Sequence, residues 1–304
     1  MWPWSRGKWQ NRRQNNPGIQ HGGLVAGRRA PYIGAMKNAL ALPARLFRRA
    51  PRINLVRLQG MIAAQGRGRL NDAELAPVLE RAFRAGKPKA VALLINSPGG
   101  SPVQSSLIAA RIRRLGDETG VPVHAFVEDA AASGGYWLAT AADDIHCDSC
   151  SVLGSIGVIA AGFGLQELIA RHGVERRVHT AGQSKNQLDM FRPEKPEDIE
   201  RLNRLLEQMH TAFIGQVRIR RGAKLDNATE LFDGSFWLGA EAVRLGLADA
   251  IGHAVPVLKA RYGDKARLVP YGLRRPFLAR FGMALATDAM TLVEERALWA
   301  RLGV

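Results

Sequence analysis

Cysteine is nearly absent from this sequence, since only Cys147 and Cys150 occur among 304 residues. A structural zinc site needs four protein ligands, and no second cluster of Cys and His accompanies this pair. A redox-active pair normally opens a helix, whose dipole lowers a thiol pKa, whereas this pair follows a short strand-like run and precedes a Gly-rich turn. We therefore expect two buried or half-buried structural thiols, with no metal site and no redox function.

Acidic residues are missing from the first 50 positions, which hold ten Lys or Arg and no Asp or Glu. This basic tail supplies most of the excess in a formal net charge of +16. We predict that residues 1–32 are disordered, because so basic a stretch cannot bury enough apolar surface to repay its ordering entropy. The tail could touch an anionic membrane surface through residues 1–50, with nucleic acid the less favoured partner and a solvated arm the alternative.

Long hydrophobic runs are also missing. The mixed apolar and basic stretch 33–50 is far shorter than the ~18 residues of a spanning helix, and Pro43 interrupts it. No apolar region with a small-residue cleavage site follows the basic start, so we expect no signal peptide. These features predict a cytoplasmic protein for which contact with a membrane interface stays open.

Regular hydrophobic periodicity begins at residue 53 and alternates between short strands and helices. Strands are predicted at Ile53–Gln59, Ala90–Ile95, Val123–Val127, Asp144–His146, Gly154–Val158 and Val174–Thr180, with a turn at Glu128–Ser133. Helices are predicted at Asp72–Ala85, Pro102–Leu115, Gly134–Ala142, Leu165–His172 and Pro196–Arg221. This alternation predicts an α/β fold with mainly parallel strands and right-handed crossovers. We divide the chain into the basic tail 1–50, one domain at 51–262 and a C-terminal amphipathic helical extension at 263–304.

Ser133 is the candidate nucleophile, because it stands between a predicted strand and a predicted helix, where a sharp turn would expose its hydroxyl. The general G-x-S-x-G pattern is absent, since residue 131 is Ala, and a helix-capping serine is the alternative. A tetrahedral oxyanion needs fixed N–H donors. Gly99 or Gly100, in the loop that follows the strand Ala90–Ile95, could supply one donor and Gly134 the other.

A serine nucleophile needs a neighbouring base, and the chain offers lysines and histidines for this role. The histidines that follow Ser133 stand on ordinary predicted strands and helices, outside any motif-like setting. Lys185 differs, because it lies in a Gly-containing loop near the apolar residues Leu188 and Met190. An ordinary solvated lysine is the alternative for this position.

Several motifs, in the order found here, resemble the SppA/SohB-like signal peptide peptidases of bacteria, from about residue 53 to residue 260. They are INSPGGS at 95–101, AASGGYWLA at 131–139, AADDI with GSIGV at 141–158, TAGQSKNQLDMF at 180–191 and WLGAEAVRLGLADAIG at 237–252. The number and order of these motifs make the resemblance specific. A clear N-terminal membrane anchor, common in that family, is missing, and the C-terminal extension lies outside the match.

The resemblance implies a ClpP/crotonase-like fold with repeated β-β-α units and a Ser-Lys serine peptidase that needs no cofactor. It implies that Ser133 is the nucleophile, that Lys185 is the general base and that Gly99 and Gly100 contribute to the oxyanion hole. It further implies ring-like homo-oligomers, in which serine and lysine can come from neighbouring subunits. Extended peptides are the implied substrates, either signal-peptide remnants or membrane-protein segments, at the inner face of a bacterial inner membrane.

Two other functions stay open at this stage. An acyl-CoA hydratase or isomerase of the related fold would also hold an oxyanion with backbone N–H groups, but it would need catalytic carboxylates and would leave Ser133 and Lys185 without roles. A non-catalytic scaffold that binds membrane through the basic tail is the other alternative. The natural substrate and the number of subunits cannot be predicted from the sequence.

Overall fold

The computed structural model describes residues 50–66, 68–182, 184–272, 296–297 and 299–303. Residues 50–272 form a mixed α/β fold around one eight-stranded sheet. The strands are β1 (Arg52–Gln59), β2 (Ala90–Ser97), β3 (Val123–Ala132), β4 (Asp144–Cys147), β5 (Val152–Gly154), β6 (Phe236–Leu238), β7 (Ala250–Ile251) and β8 (Arg267–Tyr271). The helices are α1 (Asp72–Arg84), α2 (Pro102–Thr119), α3 (Gly134–Ala139), α4 (Gln166–Arg171), α5 (Pro196–Arg221), α6 (Gly239–Arg244) and α7 (Ala254–Tyr262).

The sheet is parallel except where β6 pairs antiparallel with β5. The order along its main path is β6-β5-β3-β2-β1-β8, while β4 branches from β3 and pairs in turn with β7. The long strand β3 divides between two neighbours: its first half pairs with β4, with Val127 opposite Cys147. Its last residues pair with β5, with Ala132 opposite Gly154. The ends of β3 and β5 therefore lie side by side, immediately before Ser133.

Local capping groups determine where α1 and α2 begin and end. The Asn71 side chain accepts a backbone N–H from the first turn of α1 at 2.9 Å. Pro102 opens α2, at a position where a backbone N–H would have no acceptor within the helix, so its absence costs nothing. Gly120 ends the helix with a φ of +64°. The carboxylate of Asp72 pairs with Arg111 at 2.6 Å, which joins the two helices.

Both faces of the sheet carry buried side chains. One face, with α1, α2 and α3, contributes Val56, Leu93 and Ala125 to the larger core. The other face contributes Ile53 and Phe126 to a smaller core with Leu258 of α7. Because the strands are parallel, the loops that follow β2 and β3 emerge at the same edge of the sheet.

The structure confirms several of the predicted elements and corrects others. The longest predicted helix, Pro196–Arg221, is confirmed at both ends. The predicted strand Val174–Thr180 is wrong, because this stretch has no neighbouring strand with which to pair. The predicted turn Glu128–Ser133 is also wrong, since β3 continues to Ala132 by pairing with β5. The strand predicted at Gly154–Val158 lies earlier, at Val152–Gly154.

None of the described residues between 157 and 212 is buried, although this outer segment is rich in apolar side chains. It includes α4 and the first half of α5, and α5 first becomes buried at Phe213. The large apolar side chains exposed in the outer segment are Ile159, Phe163, Leu168, Val174, Leu188, Met190, Ile199, Leu205 and Met209. The described part of the chain therefore leaves these side chains uncovered.

Several of the sequence-based predictions concern the two ends of the chain. Disorder at residues 1–32, membrane contact through residues 1–50 and most of the C-terminal amphipathic helix lie outside the described residues. Strand β8 lies beyond residue 262, where the sequence analysis ends the domain, and it pairs with β1. In the described part of the chain, no helix is long and apolar enough to cross a membrane.

The two cysteines lie in different environments. The prediction of a buried or half-buried thiol is confirmed for Cys147, which is fully buried in β4. It is wrong for Cys150, which is exposed because it lies in the turn between β4 and β5. Burial, with a further contribution from Asp148, raises the pKa of the Cys147 thiol to about 11. Within the described ranges, no group of three or more His, Cys, Asp and Glu is arranged to hold a metal ion.

We expect iodoacetamide at pH 8 to alkylate Cys150 but not Cys147 in the folded protein. A thiol with a pKa near 11 is thiolate in only about one molecule in a thousand at this pH, and burial also blocks the reagent. Mass spectrometry should find one modified thiol per folded chain and two in urea. The Cys150→Ser variant should stay unmodified until it unfolds, and equal labelling of both thiols in the native protein would contradict this assignment.

Candidate active site

Ser133 occupies a sharp turn between β3 and α3. Its backbone has a φ of +51° and a ψ of −121°, a conformation that residues with a side chain seldom adopt. The Ser133 N–H donates to the Gly154 carbonyl at 2.8 Å, and its carbonyl accepts from Trp137 at 3.0 Å. The turn is therefore anchored on both sides while the side chain stays half-buried, the geometry of a nucleophile elbow.

Gly99 brings the loop after β2 against this elbow. A Cβ at Gly99 would lie 2.8 Å from the Ser133 Cβ and 2.8 Å from the Gly134 nitrogen, and its φ is +102°. Only glycine allows such an approach. The Gly99 N–H donates to the Ser97 hydroxyl at 3.2 Å, so this N–H already has an acceptor. The sequence analysis assigns Gly99 and Gly100 to the oxyanion hole. In the structure, Gly99 allows the loop to approach Ser133 closely, and its own N–H is already bonded to Ser97.

Gly100 presents the N–H that is better placed to bind an oxyanion. Its neighbours bridge to Ile62, since the Gly99 carbonyl accepts from the Ile62 N–H at 2.8 Å and the Ser101 N–H donates to the Ile62 carbonyl at 2.8 Å. The intervening Gly100 N–H must then point away from Ile62. A Cβ on Gly134 would lie 3.4 Å from the Gly100 nitrogen, so Gly100 and Gly134 are close neighbours.

Gly134 supplies the second backbone donor. It is the first residue of α3, and the first N–H groups of a helix have no acceptor within the helix. The structure thus places the N–H groups of Gly100 and Gly134 beside Ser133. Two such donors next to a serine hydroxyl can stabilise the negative oxygen of a tetrahedral intermediate.

Hydrogen bonds within the protein hold the loop after β2 in place. The Ser97 hydroxyl donates to the Gly60 carbonyl at 2.7 Å, and the Gly60 N–H donates to the Asn96 carbonyl at 2.9 Å. The Asn96 side chain donates to Asp129 and accepts from the Ala130 N–H at 3.3 Å. The loop is therefore fixed before any substrate arrives, which oxyanion stabilisation requires.

The Tyr136 side chain anchors helix α3 to the protein core. This fully buried phenol donates to the Leu247 carbonyl at 2.9 Å. Burial raises the pKa of Tyr136 well above its ordinary value, so the phenol stays protonated and keeps donating. Trp137 stacks on Phe213 of α5, with ring centroids 4.8 Å apart.

Lys185 lies in the outer segment and is exposed. Its backbone N–H donates to the Gly182 carbonyl at 3.2 Å. Among the residues that the structure describes, its amine has no hydrogen-bond or ion-pair partner, and the Ser133 hydroxyl has none either. A single chain therefore brings Ser133, Gly99, Gly100 and Gly134 together but does not bond Lys185 to them.

The histidines after Ser133 do not supply a base in its place. His172 and His179 are exposed, and His146 is buried against Phe126. His210 binds the Ile156 carbonyl at 3.0 Å. Across the described ranges no histidine is hydrogen-bonded to Ser133.

Ser155 is a polar residue of this site that the sequence analysis missed. It directly follows Gly154, whose carbonyl accepts the Ser133 N–H, and its own φ is +52°. The Ser155 N–H donates to the Ser235 carbonyl at 2.7 Å. The available signal is the position of Ser155 between Gly154 and Gly157, but the sequence pattern predicts a strand there.

A family model described as Peptidase family S49 matches residues 117–264 of this chain. Residues 117–264 are therefore a peptidase family S49 domain. The S49 match includes Ser133 and Lys185, while Gly99 and Gly100 precede it. The resemblance indicated by the motifs is thereby confirmed.

The chain is similar to proteins named SPPA and SohB and to one named as an antiporter. It is 30% identical over 200 residues to Serine protease SPPA, chloroplastic, of Arabidopsis thaliana, a match that covers 66% of this chain and 29% of that protein. It is 29% identical over 204 residues to Probable protease SohB of Haemophilus influenzae, covering 67% and 57% of the two chains. A Brucella melitensis protein named Na(+)/H(+) antiporter NhaA is 44% identical over 291 residues, covering 87% and 40%. The chain thus spans less than two thirds of the length of each of these three relatives.

Proposed function

We propose that this S49 protein is a serine endopeptidase with Ser133 as nucleophile and Lys185 as general base. The observation that supports this proposal best is the Ser133 turn beside the paired N–H groups of Gly100 and Gly134. Strand order and the two glycine-bearing loops at one sheet edge also favour a ClpP/crotonase-like fold. Extended peptides with small or apolar side chains, such as signal-peptide remnants or membrane-protein segments, are the proposed substrates.

The proposed reaction proceeds in two proton-balanced stages. The Ser133 Oγ attacks the peptide carbonyl carbon while Lys185 takes its proton, and the oxyanion binds the N–H groups of Gly100 and Gly134. The C–N bond then breaks as Lys185 returns the proton to the leaving amine. Lys185 next takes a proton from water, and the resulting hydroxide attacks the acyl carbon of the Ser133 ester. As the ester C–O bond breaks, Lys185 gives that proton to the Ser133 oxygen and the carboxyl product leaves, so the reaction needs no cofactor.

Lys185 can act as a base near neutral pH only if its amine loses most of its solvent. An ordinary lysine has a pKa of about 10.4, and burial favours the neutral amine. The exposed position of Lys185 in one chain therefore supports a site completed by assembly, in which a second copy covers the outer segment and desolvates the amine. The uncovered apolar side chains of that segment, such as Phe163 and Leu205, favour the same homo-oligomer. Ser155 is the proposed hydrogen-bond partner that would hold the amine beside Ser133.

A fluorophosphonate probe tests this function directly. We expect the assembled wild-type protein to acquire one label, located on Ser133 by mass spectrometry, and the Ser133→Ala variant to acquire none. Labelling should become faster as pH rises through the deprotonation of one group between about pH 7 and 9. Ser184→Ala, which alters an exposed serine next to Lys185, should label like the wild type. Labelling of the Ser133→Ala variant, or of no form in any assembly state, would reject the peptidase and favour thioester binding or a scaffold.

A further inference from the structure

Helix α5 is connected to the loop after β5 by one side chain. The His210 Nε2 lies 3.0 Å from the Ile156 carbonyl oxygen. A carbonyl oxygen can only accept, so Nε2 carries the hydrogen and donates it. Ile156 is fully buried and His210 is half-buried, which protects this bond from competition with water.

The loop that His210 holds, residues 154–157, lies against the nucleophile. It contains Gly154, whose carbonyl accepts the Ser133 N–H at 2.8 Å, and Ser155, whose φ is +52°. On its other side the loop is held through the Ser155 N–H, which donates to the Ser235 carbonyl at 2.7 Å. If the bond from His210 were lost, the loop would keep the Ser155 bond and the strand pairing of Gly154 with Ala132 and Phe236, but Ile156 would lose its hydrogen bond to α5.

His210 also lies where α5 changes from exposed to buried. No described residue from 157 to 212 is buried, and Phe213, three residues after His210, is the first buried residue of α5. The helix begins at Pro196, eleven positions after Lys185. His210 therefore joins the segment that carries Lys185 to the loop that contacts Ser133.

We propose that His210 is a positioning residue for this active site: by donating to the Ile156 carbonyl it fixes loop 154–157, and through Gly154 and Ser155 it orients the Ser133 turn. This inference rests on the proposed peptidase function. His210 touches neither substrate nor the reacting atoms. Its loss should therefore lower the rate of acylation more than it weakens substrate binding, since small misplacements of reacting groups slow chemistry sharply.

Two amide substitutions provide a matched test. The amide nitrogen of glutamine can reach about as far as His210 Nε2, whereas that of asparagine is one methylene shorter. Both remain polar and uncharged in the same helical position. We expect His210→Asn to lower kcat and the rate of fluorophosphonate labelling by about 10- to 100-fold with less than about a threefold change in KM. In His210→Gln, kcat and the labelling rate should lie within about threefold of the wild-type values. The control variant His179→Ala changes an exposed histidine and should have the wild-type kcat and labelling rate.

The outcomes separate this inference from the function on which it depends. Wild-type labelling on Ser133 together with equal labelling rates in His210→Asn and the wild type would overturn the role of His210 alone. Equal losses in the glutamine and asparagine variants, with unchanged Tm, would also overturn it, because the hydrogen bond would not be the cause. Labelling that persists in Ser133→Ala would overturn the peptidase itself. If His210→Asn unfolds, the glutamine variant still decides, since a fall in its labelling rate beyond threefold at wild-type Tm contradicts the proposal.

Discussion

Replacing Ser133 with alanine is expected to lower kcat for hydrolysis of an apolar peptide by about 10⁴-fold or more. Ser133 stands at the turn beside the N–H groups of Gly100 and Gly134, and its substitution by alanine removes the hydroxyl that we propose as the nucleophile. KM should change little, because the backbone donors of Gly100 and Gly134 remain. The measurement is steady-state hydrolysis of a fluorogenic peptide by the assembled protein, with Tm as a check on folding.

A matched serine controls for this experiment. Ser149→Ala changes an exposed serine in the turn between β4 and β5, and it should retain full activity. Hydrolysis by Ser133→Ala at more than about a tenth of the wild-type rate would show that another group is the nucleophile, since loss of a true nucleophile costs far more.

Replacing Lys185 should cost almost as much. Lys185→Ala removes the only base proposed for Ser133, and we expect kcat to fall about 10³- to 10⁴-fold. Lys185→Arg should be equally inactive, because a guanidinium does not release its proton in the working pH range. Lys195→Ala, which changes another exposed lysine ten residues away, should behave like the wild type. Substantial activity in Lys185→Arg would contradict a role in proton transfer.

Mixing two inactive variants tests where the lysine acts. If Ser133 of one subunit uses Lys185 of the next, subunits carrying Ser133→Ala and subunits carrying Lys185→Ala should restore activity when assembled together. About one quarter of the interfaces in a random one-to-one mixture would contain both intact residues. Continued inactivity of the mixed assembly, while wild-type subunits treated identically recover, would instead favour a dyad within one chain.

Much of the fold could be predicted from local patterns, and the exceptions have physical causes. Helix Pro196–Arg221 was predicted at both ends because a proline opens it and a glycine follows it. The stretch Val174–Thr180 has the composition of a strand, but a strand needs a partner, and none lies beside it. Strand β3 runs past its predicted end because β5 pairs with its last residues, which no local pattern reveals.

Part of the candidate site could also be predicted from the sequence, and part of it could not. Ser133, Gly100 and Gly134 could be predicted, since motifs and turn chemistry are encoded in adjacent residues. The contacts of Ser155 and His210 depend on residues 54 and more positions apart or on backbone angles, so local spacing did not indicate them. The different roles of Gly99 and Gly100 likewise required knowing which N–H already has an acceptor.

The positive φ of Ser133 carries a thermodynamic consequence. A residue with a side chain held in such a sparsely populated region costs of order 1–3 kcal/mol, a cost that glycine largely avoids. Substitution of glycine at position 133 would thus stabilise the folded chain while removing the side chain that we propose as the nucleophile. Stability and the proposed activity therefore oppose each other at this one position.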